Sequence, residues 1–238
     1  FYVYVPIRAT VLKVNGGLLV YAPVAATKEC VAMVRSLEAV HGPVKWILLP
    51  SKAVEHKVTA GPFAREFPSA ELYIAPGQYS VPIDLPLEVL GFSTSYTILD
   101  PLRLNDLPWS DDCDTAYLDV GTFGEVALFH KSSRSLILVD SLISIAKDPP
   151  PLLLDEDYRK ALLYHARDNG EPMEVTTEAL QKGWARIALF AVFFNPGALA
   201  NGDIAVPETG ETRPWAWQEG WQQSFERLRN GGEAVCGP

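Results

Sequence analysis

Apolar and polar positions alternate through residues 2–14, a run rich in β-branched and aromatic side chains, and a second β-type run covers residues 18–23 after Asn15, Gly16 and Gly17. Two such runs joined by Asn-Gly predict a β-hairpin with a tight turn. From Thr27 the period changes. Val31, Val34, Leu37 and Val40 recur at helical spacing, Thr27 is placed to cap the helix with Glu29 in its first turn, and Gly42-Pro43 stops it. The mostly apolar run 44–49 predicts a strand covered on both faces. A loop over 51–57 and a helix from there to 67 follow, then a strand over 71–75 ended by Pro76 and Gly77. Residues 78–114, rich in proline and aromatic side chains, read as mostly irregular, with a short strand at 96–99. Strands at 116–120 and 125–130, a turn at 131–134 and a returning strand over 135–140 predict a second hairpin. The period becomes helical again over 155–165 and 174–194. This order of hairpin, helix, strand, helix, strand, hairpin and helices is that of an α/β fold.

Composition narrows the function classes. At 238 residues the chain suits one large domain or one and a half, and a domain of that size buries roughly 70–75% of its unfolded surface without help from a disulfide or metal. Its 20 basic and 29 acidic residues give a net charge of −9 with no basic stripe. Polyanion binding rests on Lys and Arg neutralising phosphates, so nucleic acid is not the expected partner. No run approaches the ~20 apolar residues of a membrane span; the longest, 187–194, ends at Asn195-Pro196, and the chain is expected to be soluble. Cys30, Cys113 and Cys236 are odd in number and widely spaced, which argues against a disulfide framework and a thiolate zinc site. Cys30 reads as a small core residue. The chain opens at Phe1 without a methionine, which leaves open whether a leading segment was removed.

One constellation carries chemistry. A strand ending in Leu48-Leu49-Pro50, a segment bearing Glu55-His56, a helix and a strand ending in Ala75-Pro76 resemble the metallo-β-lactamase superfamily, whose αββα sandwich places an HxHxDH metal motif after such a strand. On that motif Ser51, Ala53, Glu55 and His56 occupy the ligand positions; the final His matches and Glu replaces the Asp. The hairpin from Gly124 to Asp140 resembles the one that ends in the family's metal-bridging Asp, and Asp140 falls on it. The family's preceding His falls near Gly121, which offers no side chain, and no His follows His165. The resemblance covers residues 1–145. Within the superfamily, Glu55-His56-Lys57, the stretch from Gly61 to Arg65 and the stretch from Ala75 to Tyr79 are similar to an uncharacterised branch, a domain of unknown function of bacteria, algae and plants, notably photosynthetic ones.

The resemblance implies residues 1–206 as one αββα domain, helical from about 151 with additional C-terminal helices, and 207–238 as a Trp-rich tail. It implies a degenerate site at Ser51, Ala53, Glu55, His56, Gly121 and Asp140. A catalytic zinc takes about three protein ligands plus a water, and two-metal members need more. With one His and two carboxylates left, no cofactor and no catalytic residue are expected, and His56 and Asp140 remain weak metal candidates. Each residue also has a structural reading. His56 caps its helix or bonds a carbonyl, Asp140 caps residues 141–145, and Glu55 pairs with Lys52 or Lys57. His130 reads as hairpin surface, His165 as a solvated helical residue, and Asp111, Asp112 and Asp114 as a solvated acidic turn lacking EF-hand spacing. There is no GxSxG elbow, P-loop or GxGxxG. Trp215, Trp217, Trp221 and Phe225 either fold over the core or anchor another protein chain. The expectation is a binding or scaffold component, a peripheral subunit of a photosynthetic-membrane assembly in the chloroplast, with an atypical hydrolase built on Glu55, His56 and Asp140 as the alternative.

Overall fold

In the computed structural model, residues 4, 6–78, 87–92, 95–120, 123–141, 146–168, 172, 174–192, 203–205 and 212–214 are described. Strands β1 (Thr10–Val14) and β2 (Gly17–Tyr21) form the first hairpin, with Thr10 opposite Tyr21 and Val14 opposite Gly17. Gly16 turns it at a φ of 91°, a conformation that glycine adopts without the steric cost a Cβ would bring. Helix α1 (Lys28–His41) starts where Thr27 Oγ1 accepts from the Cys30 amide at 3.2 Å. Of its expected repeat only Val34 is fully buried, while Leu37 and Val40 face outward. A step of three residues falls about 60° short of a full helical turn, so Val40 lies roughly opposite Val31.

Strand β3 (Val44–Leu49) continues into helix α2 (Val54–Glu66), which leads to strands β4 (Glu71–Ile74) and β5 (Thr97–Ile98). The five strands lie in the order β1-β2-β3-β4-β5, parallel from β2 onward. Helix α2 corrects the loop expected over 51–57: Glu55, His56 and Lys57 are in its first turn. Its inward positions are His56, Lys57, Ala60, Gly61 and Phe63, and two polar residues among them hid the helical period.

The second sheet is antiparallel, β6 (Cys113–Val120), β7 (Phe123–His130) and β8 (Ser135–Ile137), with Cys113 opposite His130 and Leu128 opposite Ile137. Strand β6 begins three residues before the expected position. Strand β8 ends at Ile137 rather than Asp140, because the amides of 139–141 turn to a side chain of β7 instead of a neighbouring strand.

Period-two alternation sorts the first sheet into two cores. Leu19, Tyr21, Trp46, Leu48 and Tyr73 face the second sheet and meet Trp109, Tyr117, Val126 and Leu128. Leu18, Val20, Ile47, Leu49, Leu72 and Ile74 face the helices and meet Val34, Ala60, Phe63 and Phe67. The layers are therefore helices, mixed sheet and antiparallel sheet, a mixed α/β arrangement. All of this lies in one compact unit, Arg8–Leu142.

A second unit includes Ile143–Trp217. Its helices α3 (Glu156–Ala166) and α4 (Thr177–Val192) share a core of Leu153, Ala161, Leu162 and Ile187. Helix α4 starts three residues after the expected Glu174, where Thr176 Oγ1 accepts from the Ala179 amide at 3.1 Å. Strands β9 (Asp203–Ala205) and β10 (Thr212–Pro214) pair antiparallel. Gly121 and the tail candidates Trp215, Trp217, Trp221 and Phe225 lie outside the described residues. No helix among the described residues is long and apolar enough to cross a membrane.

Candidate functional site

The carboxyl ends of parallel strands are where α/β sheets place their ligands, and Ser51 follows β3 by two residues. The segment is stitched to β7: the Val126 amide donates to Pro50 O at 2.7 Å, the Lys52 amide donates to Gly124 O at 3.1 Å, and Ser51 forms a β-bridge with Glu125. Ser51 is fully buried. Its hydroxyl donates to Asp140 Oδ2 at 3.2 Å and accepts from the Ala53 amide at 3.1 Å.

Ala53 is the N-cap of α2 and makes no side-chain cap bond. His56 is 3% exposed, with Nε2 3.5 Å from Asp140 Oδ2. One donor atom each of Glu55, His56 and Asp140 lies within 4.8 Å of the others. Burial, the largest single effect, pushes the His56 imidazole down. The nearby Asp140 carboxylate, with Glu55 and Glu125 behind it, outweighs burial and holds His56 above its ordinary value.

Glu125, wholly buried on β7, was not singled out from the sequence. Its carboxylate accepts from the amides of Val139 at 2.6 Å, Asp140 at 2.9 Å and Ser141 at 2.7 Å, and from the Ser141 hydroxyl. The available signal was a carboxylate inside an otherwise apolar strand. The cap that Asp140 is expected to place on residues 141–145 falls on amides that lie outside the described residues. Tyr21 donates to Val126 O at 2.8 Å, and its phenol is pushed up by burial and by the charges of Glu125 and Asp140. Beside Ser51, the Gln78 amide nitrogen donates to Ser51 O and Ala75 O, and its buried Oε1 has no partner among the described residues. Lys52 Nζ pairs with Asp119 at 2.8 Å.

The structure brings Ser51, Glu55, His56 and Asp140 together and leaves the other polar candidates elsewhere. His130 contacts the Ser132 and Ser133 hydroxyls at its own hairpin turn, and His165 is half-buried in α3. The acidic turn is anchored as well as solvated: Asp112 accepts from the Asn15 amide at 2.6 Å, and Asp114 pairs with Lys131 at 3.0 Å.

A two-metal zinc centre does not fit these residues. Among the described residues the one group of three metal-type donors is Glu55, His56 and Asp140, which holds a single imidazole. One pair within this group, His56 and Asp140, has the spacing of two ligands of a single ion, while the three donor atoms together lie within 4.8 Å of one another. Charge-assisted N–H···O bonds are about 2.7–2.9 Å long, and the His56–Asp140 separation of 3.5 Å exceeds that. Donors about 2.0–2.2 Å from a tetrahedral ion sit roughly 3.3–3.6 Å from each other. Compared with known families, residues 1–238 match the family described as a domain of unknown function, DUF4336. No curated protein matches the chain.

Proposed function

The chain belongs to the DUF4336 family, and we propose that it is a metallo-β-lactamase-like αββα protein whose two-metal centre has been lost, acting as a non-catalytic binding or scaffold component. The observation that carries this reading is the donor set. One imidazole and two carboxylates stand where such a centre needs several histidines, and the hydroxyl of Ser51 and the imidazole of His56 both turn to a single oxygen of Asp140. The sandwich reading is supported by the helix layer over the mixed sheet and by a site at the ends of its parallel strands. In this proposal the protein is a peripheral subunit of a larger, photosynthetic assembly in the chloroplast, and residues 214–225 supply its docking contacts.

A second reading is favoured by the 3.5 Å separation of His56 and Asp140. Here Glu55, His56 and Asp140 hold one divalent ion, which would supply Lewis acidity for an atypical hydrolase. Elemental analysis of natively purified protein, beside a His56→Ala variant, separates the two. Absence of zinc, iron and manganese from both supports the non-catalytic reading. One ion per chain, lost in the variant, replaces it with the one-ion reading.

A further inference from the structure

Asp140 and His56 come from parts of the chain with no local connection, since Ser51 and its partner Asp140 are 89 residues apart in sequence. Some group must hold the two halves of the site in register. The half that carries Ser51, Glu55 and His56 hangs on the end of β3 and the start of α2, and the half that carries Asp140 lies beyond β8.

Glu125 touches both. Its main chain forms the β-bridge with Ser51, between the bonds that join Val126 to Pro50 and Lys52 to Gly124. Its side chain collects the amides of Val139, Asp140 and Ser141 and the Ser141 hydroxyl. We propose that Glu125 is the positioning residue of the site: one residue whose backbone fixes the Ser51 half and whose carboxylate fixes the Asp140 half.

The physical reason lies in the buried amides. Three consecutive N–H groups pointing to one side form a nest that attracts an anion. A buried carboxylate costs several kcal/mol unless its lone pairs are satisfied, and four donors meet that requirement here. Each bond from an amide to a charged acceptor is about twice as strong as a neutral one. The turn at 139–141 therefore has a single favourable arrangement, and it points the Asp140 carboxylate at Ser51 and His56. Asp140 stays 30% exposed on its side chain, where it meets the Ser51 hydroxyl and the His56 imidazole.

Calorimetric titration of wild type, Glu125→Gln and Ser141→Ala with Co²⁺, beside amide exchange of residues 139–141, tests this. The metal readout rests on the one-ion reading, and the exchange readout does not. Glu125→Gln keeps the volume but presents an NH₂ group to an amide. It is expected to weaken Co²⁺ binding roughly tenfold or more, as lost outer-shell partners do, and to speed exchange at 139–141. Ser141→Ala, which leaves the carboxylate in place, is expected to do the same more weakly, and serves if Glu125→Gln does not fold. Wild-type affinity together with wild-type exchange in both folded variants overturns the proposal. If wild type takes up no Co²⁺, the one-ion reading fails alone, and Glu125 is judged on exchange: faster exchange upholds it and unchanged exchange overturns it.

Discussion

His56 gives the site a pH signature. Its imidazole is held above its unfolded value of about 6.5 by Asp140, despite burial. The protonated form is thus favoured by folding. The stabilisation is fully present below about 6.5 and is lost as pH rises through the folded value. In chelator-treated protein, the melting temperature of wild type should exceed that of His56→Gln most between about pH 5 and 6.5, and the gap should shrink towards pH 9. A gap that stays constant across that range, measured by circular dichroism, would count against the His56–Asp140 contact. Cys113 offers a second residue-scale check. Burial, with Asp112 adding to it, pushes its thiol up to about 11. The thiolate is the reactive form, so iodoacetamide at neutral pH should leave Cys113 unmodified in folded protein and label it after denaturation. Peptide mass spectrometry showing rapid labelling of the folded chain would contradict its burial.

At the scale of elements, α2 holds the most unusual local sequence. Gly61 and Pro62 sit inside the helix, where both are normally costly. Packing explains the glycine. A Cβ at Gly61 would lie 2.6 Å from the carbonyl carbon and oxygen of Gly91, at the end of the turn Leu87–Leu90. The same contact is tied by Arg65 Nη1, which donates to Gly91 O at 2.5 Å. Gly61→Ala is therefore expected to cost about 1–3 kcal/mol through overpacking, despite alanine's better helix propensity, as read from urea unfolding. A neutral or stabilising result would mean that the backbone there gives way easily. The same element shows why His56 eluded the pattern of apolar positions: it and Lys57 fill inward slots that a periodicity search expects to be apolar.

Across the whole molecule, the two compact units have separate cores. The core of α3 and α4 draws on Leu153, Ala161, Leu162 and Ile187, and shares no residue with the two cores around the mixed sheet. Opening free energies vary between such cooperative regions of one chain. Leu162→Ala should remove about 2–5 kcal/mol from its own region. Amide exchange should then speed up in α3 and α4 while β2, β3 and β4 keep wild-type protection. Equal acceleration in both units would show that they unfold as one.

The sequence by itself determined the first hairpin, the capped start of α1, the run of strands and helices up to β4 and the second hairpin, because each rests on contacts between near neighbours: a turn, a cap, or a period of two or 3.6. The resemblance to metallo-β-lactamases, rather than any local pattern, pointed to Ser51, Ala53, Glu55, His56, Gly121 and Asp140 as a group. Tertiary structure alone decided which face of α1 is covered and that α2 starts at Val54 with His56 and Lys57 inward. It alone decided that Glu125 receives the amides of 139–141. Those outcomes depend on strand register and on pairs far apart in sequence, such as Ser51 with Asp140. Local periodicity says which kind of element forms, and only the packed sheets say which of its residues are turned inward and what each of them meets.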